Sequence, residues 1–419
     1  MKPFPTRARL ARLGAASATM IAIGTVASPS HAQCQYDVTV LQFPIDCGIG
    51  TVITAGLSLH EKGAVVGRYK CPVSKYSQGF LWTAAGGFVG LEPPPGVIEV
   101  VATDINDQGV ICGTMIVADI GFRGFVYDHG AWTVLPPVVD VLGTWSSAAA
   151  INNKGIVVGQ RSITENLNPQ NAYIWSREEG FTDLGVLQGP YSAATAISSN
   201  GAVGGWTGTG TTTSEAFLWF DGNVTLFGPV PDGLTSTVSA LGDDGAVVGS
   251  GRIPFDGAPF GANRAFLWEN GEFTMLGTLP DHTRSGAGDI RSTRQQVVGN
   301  SSNVDGNPNI RHGFIWQSGL MTNLNDLIPA DLSLVITSAP ANNGSGLILT
   351  NASSTDGLVS VLLAPVESPL GDLDADCQVG ILDLLFLLAQ WGQTGSPADL
   401  NNDGLVGILD LLILLANWT

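Results

Sequence analysis

The chain has 419 residues, of which 13% are charged and 44% hydrophobic, with 54 glycines. That length suits one large domain or two to three ordinary ones, and the composition excludes global disorder, which needs low hydrophobicity and high charge. Lys and Arg total 18 against 36 Asp and Glu, and a chain this acidic repels phosphate backbones and anionic lipid, which excludes nucleic-acid and membrane-surface binding.

Residues 1–32 read as a secretory signal peptide. They hold a basic n-region (Lys2, Arg7, Arg9, Arg12), an apolar stretch LGAASATMIAIGTVA, and SPSHA before Gln33, with small residues Ser30 and Ala32 at −3 and −1. Without them 14 basic residues face 36 acidic ones, a net charge of −22. The competing reading, an N-terminal membrane anchor, has against it a stretch that is short and rich in Ala and Gly. A lipoprotein is disfavoured because Gln33, not a small residue, precedes Cys34. No later segment has 18 uninterrupted apolar residues, so the expected location is extracellular or at the cell surface. Five cysteines (Cys34, Cys47, Cys71, Cys112, Cys377) contain no C-x-x-C pair, and neither a zinc ribbon nor a thioredoxin-type site is supported. In an oxidising compartment Cys34–Cys47 is the first expected disulfide and Cys71–Cys112 the second, with Cys377 left over.

From about 33 to 366 the chain repeats itself. A G-x-V-x-G-like core recurs as GAVVG at 63, GVICG at 109, GIVVG at 155, GAVGG at 201, GAVVG at 245 and QQVVG at 295, at spacings of 46, 46, 46, 44 and 50 residues. Each core precedes a short aromatic strand: GFLW (79–82), GFVY (124–127), AYIW (172–175), AFLW (216–219), AFLW (265–268) and GFIW (313–316). A third signature follows, such as DLGVLQG (183–189) or MLGTLPD (275–281), and a worn seventh copy runs from 342 to 366. Turns such as INDQG (105–109) and INNKG (151–155) suit hairpins, because Asn and Asp bond their own backbone and Gly takes positive φ. Four short apolar runs per unit of roughly 45 residues, without helical periodicity, are the signature of a β-propeller blade. YDVTVLQFP (36–44) resembles the end of an inner unit, FTDLGVLQGP (181–190), and the seventh unit lacks that strand. The N-terminal strand is therefore expected to complete the last blade, which removes an open edge. The expected fold class is all-β, a propeller of about seven four-stranded blades, with six or eight as alternatives.

These repeats resemble the extracellular HAF-type repeat family, named for a strand that here reads RAFLW, EAFLW or HGFIW. The resemblance covers about 58–366. Units 2 to 5 fit its I-N-x-x-G turn, VVG strand, AF-x-W strand and LG-x-L strand, while unit 6 has STRQQ where the turn glycine belongs. It implies a secreted protein and a fold, more than a reaction.

Residues 367–419 have another composition: eight acids and no Lys or Arg. GILDLLFLLAQW (380–391) recurs as GILDLLILLANW (407–418), 27 residues on, and each copy follows an acidic loop, DLDADCQVGILD (372–383) or DLNNDGLVGILD (399–410). Calcium takes six to eight oxygens, supplied by loop positions 1, 3, 5 and 12 and a position-7 carbonyl. The expected ligands are Asp372, Asp374, Asp376, Gln378 (carbonyl) and Asp383 in the first loop. In the second they are Asp399, Asn401, Asp403, Leu405 (carbonyl) and Asp410. Asp at position 12 reaches less far than Glu, and a short helix should follow each loop. These paired EF-hand-like loop–helix units resemble a type I dockerin module over 371–419, which implies two Ca2+ ions and a cohesin-like or cell-surface protein partner. Cys377 stands where the first loop wants Gly, which weakens that site. Ile381-Leu382 and Ile408-Leu409 occupy positions that contact cohesin in the family and carry hydroxyl or basic residues there. An acidic helical hairpin without metal is the bland alternative. A C-terminal membrane anchor is opposed by Asp383 and Asp410 interrupting short runs.

Catalytic motifs are lacking: no G-x-S-x-G, H-E-x-x-H or phosphate loop occurs. His60, His129, His282 and His312 share no repeat position, and read as isolated surface or core groups. Trp82, Trp175, Trp219, Trp268 and Trp316 keep one position per unit and read as blade core. Trp132, Trp145 and Trp206 lie off that pattern and are candidate sugar-stacking surfaces. Asp104, Asp107, Asp243 and Asp244 are candidates to gather at a propeller axis. Two functions are therefore expected to compete. One is a non-catalytic secreted propeller that binds or displays through its loops and is tethered by the C-terminal module. The other is an extracellular polysaccharide hydrolase or lyase attached through it.

Overall fold

Each repeat folds into an antiparallel meander whose tight turns are set by the side chains the sequence places there. In the second repeat Asn106 ends the first strand, Val97–Ile105. Its Oδ1 accepts the backbone N–H of Gln108 (3.1 Å) and of Val110 (3.0 Å). Gly109, at φ +80°, closes the turn in a conformation that strains any residue with a Cβ. The second strand, Ile111–Val117, then pairs with Gly121–Asp128, and that with Ala131–Leu135. The computed structural model describes residues 36–43, 53–138, 143–163, 170–185, 187, 189–210, 213–255, 258–291, 295–303, 310–355, 357–366, 370–373 and 379–418.

Among these residues there are five four-stranded sheets and one of eight. The eight are two four-stranded meanders, Ser146–Asp183 and Tyr191–Gly228, touching through one parallel pair, Gln170 with Tyr191. In every meander but the last, the order in space follows the order in the chain. The last is completed from the N-terminus: Tyr36–Val40 pairs antiparallel with Gly357–Pro365, from Tyr36 opposite Pro365 to Val40 opposite Val361. The sequence expectation of closure by the first strand holds at the level of register. Each innermost strand packs on the innermost strand of the next meander, and Val335–Asn342 packs back on Ile53–Leu59, so the cycle is closed. The cores lie between neighbouring meanders. Val66 and Leu91 of the first repeat, for instance, share a cluster with Val100, Ala102, Ile111 and Phe125 of the second. No helix of the described residues is long and apolar enough to cross a membrane.

A hydroxyl stitch recurs at five of the junctions. Ser285, near the start of an innermost strand, accepts the N–H of Ala265 in the preceding repeat (2.9 Å) and donates to the Gly277 carbonyl (2.6 Å). Ser146 does the same with Gly124 and Leu135, Ser236 with Ala216 and Gly228, and Ser192 accepts from Ala172. At the closing junction Thr54 accepts the Ser360 N–H (3.0 Å). Ser285 is buried, so Ser285→Ala strands a buried donor and acceptor. The expected cost is about 1–3 kcal/mol, read as a lower denaturant midpoint with an unchanged slope.

Three local expectations are corrected. Cys112 is a free thiol packed with Val126, Ala148, Val157 and Tyr173, whereas Cys71, just past the strand Val65–Lys70, is disulfide-bonded. The Cys71–Cys112 bond is thus not formed, and Cys34, Cys47 and Cys377 lie outside the described residues. The LG-x-L signature is not a full strand. In MLGTLPD the fourth strand, Glu272–Gly277, ends at the glycine, and Leu276 and Leu279 are both buried as the chain crosses to the next repeat. Trp132 is no free stacking surface, since it packs on Phe125 and Tyr127 at ring distances of 4.9 Å; Trp145 and Trp206 are half-buried. Trp82, Trp175 and Trp316 are buried as expected, and Trp219 and Trp268 pack partly buried against neighbouring clusters.

The chain divides by contacts into Gln33–Pro369 and a second unit that includes Leu370–Thr419. In the latter, helices Ile381–Ala389 and Ile408–Ala416 follow the two acidic loops. Its small core joins Val379, Leu387, Ala398, Val406 and Leu414. The signal-peptide segment 1–32 lies outside the described residues.

Candidate functional sites: the axial cavity and the acidic loops

Every innermost strand carries a register shift near its end, between Gly56 and Ser58, Ala102 and Asp104, Ala148 and Ala150, and so on around the cycle. At these bulges two or three residues of each strand line a cavity of about 230 Å³. Most of these residues are small (Ser58, Ala150, Ala196, Ala240, Ala341), but two are aspartates, Asp104 and Asp289. Asp104 accepts from the Ser58 hydroxyl (2.6 Å), its neighbour Ile105 N–H (2.9 Å) and the Ile151 N–H of the following repeat (2.8 Å). Asp289 accepts from Ile290 (2.8 Å) and from Asn342 of the following repeat (3.0 Å). Both carboxylates therefore tie successive repeats together at the axis.

Burial opposes ionisation of both groups. It raises Asp104 despite the bonds from Ser58, Ile151 and Ile105. It pushes Asp289 up to about 7, the Asn342 and Ile290 bonds opposing and the charges of Asp104 and Glu61 adding to it. An acid raised in the folded state binds more protons there than unfolded, so stability falls as pH climbs from the unfolded value near 4 through about 7. Asp289→Asn is expected to flatten that decline. The check is the melting temperature from pH 4 to pH 8, whose slope should shrink in the variant.

Of the four carboxylates expected at the axis, only Asp104 reaches it. Asp107 and Asp243 sit on exposed turns, where they bond Asn153 and Ser199 of adjacent repeats, and Asp244 caps its own turn at the Ala246 N–H. Asp289 went unnoticed, although Asp104-Ile105 and Asp289-Ile290 hold the same place in their repeats. The histidines are also not all isolated: the rings of His282 and His312 face one another, centroids 5.1 Å apart.

In the second acidic loop the expected ligand side chains bond the loop's own backbone. Asp399 accepts from Asp403 N–H (3.1 Å) and Gly404 N–H (2.8 Å), Asn401 Oδ1 accepts from Asp403 N–H (2.9 Å), and Asp403 accepts from Leu405 N–H (3.0 Å). Gly404, at φ +93°, makes the sharp turn that position six requires. Asp410 is buried, and its carboxylate takes the N–H groups of Leu400 (2.7 Å), Asn401 (3.1 Å) and Gly407 (2.7 Å), the last being its helix's N-cap. Burial alone would raise Asp410, but these three N–H bonds and that of its own backbone outweigh it and hold the carboxyl below its ordinary value. Asp383 repeats the pattern with Leu373 (2.6 Å) and Gly380 (2.7 Å). Asp372 is half-buried near it in sequence, and Asp374, Asp376 and Gln378 lie outside the described residues. An all-oxygen set of this kind fits a hard cation such as Ca2+.

Both helices also leave an apolar stripe in solvent. Ile381, Leu382, Leu385, Leu388 and Trp391 match Ile408, Leu409, Leu412, Leu415 and Trp418 residue for residue at the 27-residue spacing, each between 44% and 60% exposed. The expectation had singled out only the first two of each set.

No known family profile matches the chain, and no curated protein does either. Solved structures do. A puromycin hydrolase aligns with TM-score 0.51 and 11% identity over 78% of this chain, which spans about half (54%) of that protein. TolB from Acinetobacter baumannii aligns at 0.35 and 14%, covering 75% of this chain and 79% of TolB. A gluconolactonase from Xanthomonas campestris aligns at 0.36 and 12%, covering 69% and 90%. The fold is β-propeller-like. At such identities the likeness carries the fold alone.

Proposed function

We propose that this protein is a secreted, seven-bladed propeller of the HAF-repeat type that binds or displays through its loops. A dockerin-like C-terminal module, folded around Ca2+, holds it to a protein partner at the cell surface. The blade count rests on five four-stranded sheets plus an eight-stranded one made of two meanders. The observation that carries the tethering reading is the C-terminal duplication. Two loops with the same carboxylate–backbone pattern each feed a helix whose apolar stripe is left in solvent. Ca2+ would be held by Asp399, Asn401, Asp403, Asp410 and the Leu405 carbonyl, and by Asp372, Asp374, Asp376, Asp383 and the Gln378 carbonyl. Bound there, it supplies positive charge among clustered carboxylates that otherwise repel. Exposed contiguous apolar surface of this kind marks protein contact.

The test combines calcium titration of the full chain with localisation. About two ions should bind, Asp399→Ala should remove one, and deleting 367–419 should release the protein from the cell surface. Unchanged localisation after that deletion would refute the tether.

The alternative, a polysaccharide hydrolase or lyase, is favoured by one observation, the Asp104–Asp289 pair in a shared cavity. Yet about 230 Å³ is below the roughly 300–1,000 Å³ of ordinary ligand pockets, and both carboxylates are engaged by backbone N–H groups. Polysaccharide turnover abolished by Asp104→Asn would restore that reading.

A further inference from the structure

Histidines 282 and 312 come together in the sixth repeat, in a pocket of about 510 Å³ also lined by Asp281, Asn323 and Asp326. The loop that carries His282 is held in place. Thr278 Oγ1 donates to the His282 carbonyl (3.0 Å), His282 N–H donates to the Leu279 carbonyl (3.2 Å), and Asn303 Nδ2 donates to the Asp281 carbonyl (3.1 Å). His312 stands on the strand Arg311–Gln317, which pairs with Gln296–Ser302. The two imidazole planes are inclined by 31° with centroids 5.1 Å apart.

His282 Nδ1 is buried and has no hydrogen-bond partner, and the ring bonds the Ser301 backbone. A ring whose N–H is given to a backbone carbonyl presents a bare lone pair at its other nitrogen. That is the way a ligating histidine is held for a metal.

We propose that His282 and His312 form a two-imidazole binding site for a transition-metal ion, Cu2+ or Zn2+, with the Asp281 and Asp326 carboxylates raising the local concentration of cations. Two imidazoles leave the remaining coordination positions of such an ion to water. Imidazole ligands favour Cu2+ and Zn2+ over Ca2+, which keeps this site chemically separate from the acidic loops, and Cu2+ should bind more tightly than Zn2+.

The experiment uses the full chain from residue 33 onward, with excess Ca2+ to saturate the acidic loops. Zn2+ is titrated by calorimetry, and Cu2+ is followed by electron paramagnetic resonance. One Zn2+ should bind, with coupling of Cu2+ to two nitrogens, and His282→Ala or His312→Ala should each weaken binding by more than the roughly 10- to 100-fold that loss of an outer-shell partner costs. His129→Ala, on an exposed turn beside Asp128, should change nothing. Absence of binding, or affinity unchanged in both pocket variants, would overturn the proposal. Should either variant misfold, substoichiometric Cu2+ on the unmodified protein decides. The imidazole proton resonances of His282 and His312 should broaden before those of His60 and His129, and the reverse order would overturn the site.

Discussion

A chain that begins at residue 53, lacking the strand Tyr36–Val40, is expected to keep the packing of Val335–Asn342 on Ile53–Leu59 but to lose the outer strand that completes its last sheet. That strand supplies the fourth position of the last sheet and buries Tyr36 and Leu41 against it. Removing two buried side chains of this size costs about 5 kcal/mol or more, roughly 6 °C in melting temperature for a chain of this length. It also bares the edge of Gly357–Pro365, whose sequence GLVSVLLAP is apolar enough to pair with another copy. Calorimetry and gel filtration would read both effects, a lower transition and a shift to aggregates. A synthetic peptide of residues 36–43 added in trans should reverse them. An unchanged transition would mean that the last sheet holds without its clasp.

The second large effect is expected at Asp410. Its carboxylate satisfies the N–H groups of Leu400, Asn401 and Gly407 together, at a position fully out of solvent. Asp410→Ala leaves these donors without a partner beside a small core of about ten apolar residues, and each costs about 1–3 kcal/mol. The C-terminal helices should then melt while the propeller transition stays where it was, which hydrogen exchange of 381–389 and 408–416 would show. Asp399→Ala, in an exposed part of the same loop, should weaken Ca2+ binding but leave the helices folded. The pH dependence has the opposite sign from that at Asp289. Asp410 is depressed in the folded state, so its contribution is complete above the unfolded value of about 4 and lost as pH falls through the folded one.

Much of this architecture was legible in the chain itself. The repeated G-x-V-x-G and aromatic runs became second and third strands because glycine, Asn and Asp set local turns, and local chemistry needs no knowledge of distant residues. The likeness of 36–44 to the end of an inner unit announced the closing strand. The serines at 146, 192, 236 and 285 recur in the sequence too, and their spacing could have revealed the stitch. The two helices of the C-terminal unit followed from the spacing of their leucines.

Other features exist only once the cycle closes. Asp104 and Asp289 are 185 residues apart, and a shared cavity results from bulges in strands that meet only at the axis. Cys112 and Cys71 looked like partners by order alone, but Cys112 faces into a core between repeats and forms no disulfide. His282 and His312 fall at different positions along their repeat, so periodicity could not join them, and a loop folding over a strand did. The amino-acid sequence by itself determined the repeated unit, its turns and its clasp, because these depend on neighbours within a few residues. Which side chains share a cavity, and with what protonation, was decided by the tertiary structure, because burial and long-range contact belong to the closed ring and not to any one repeat.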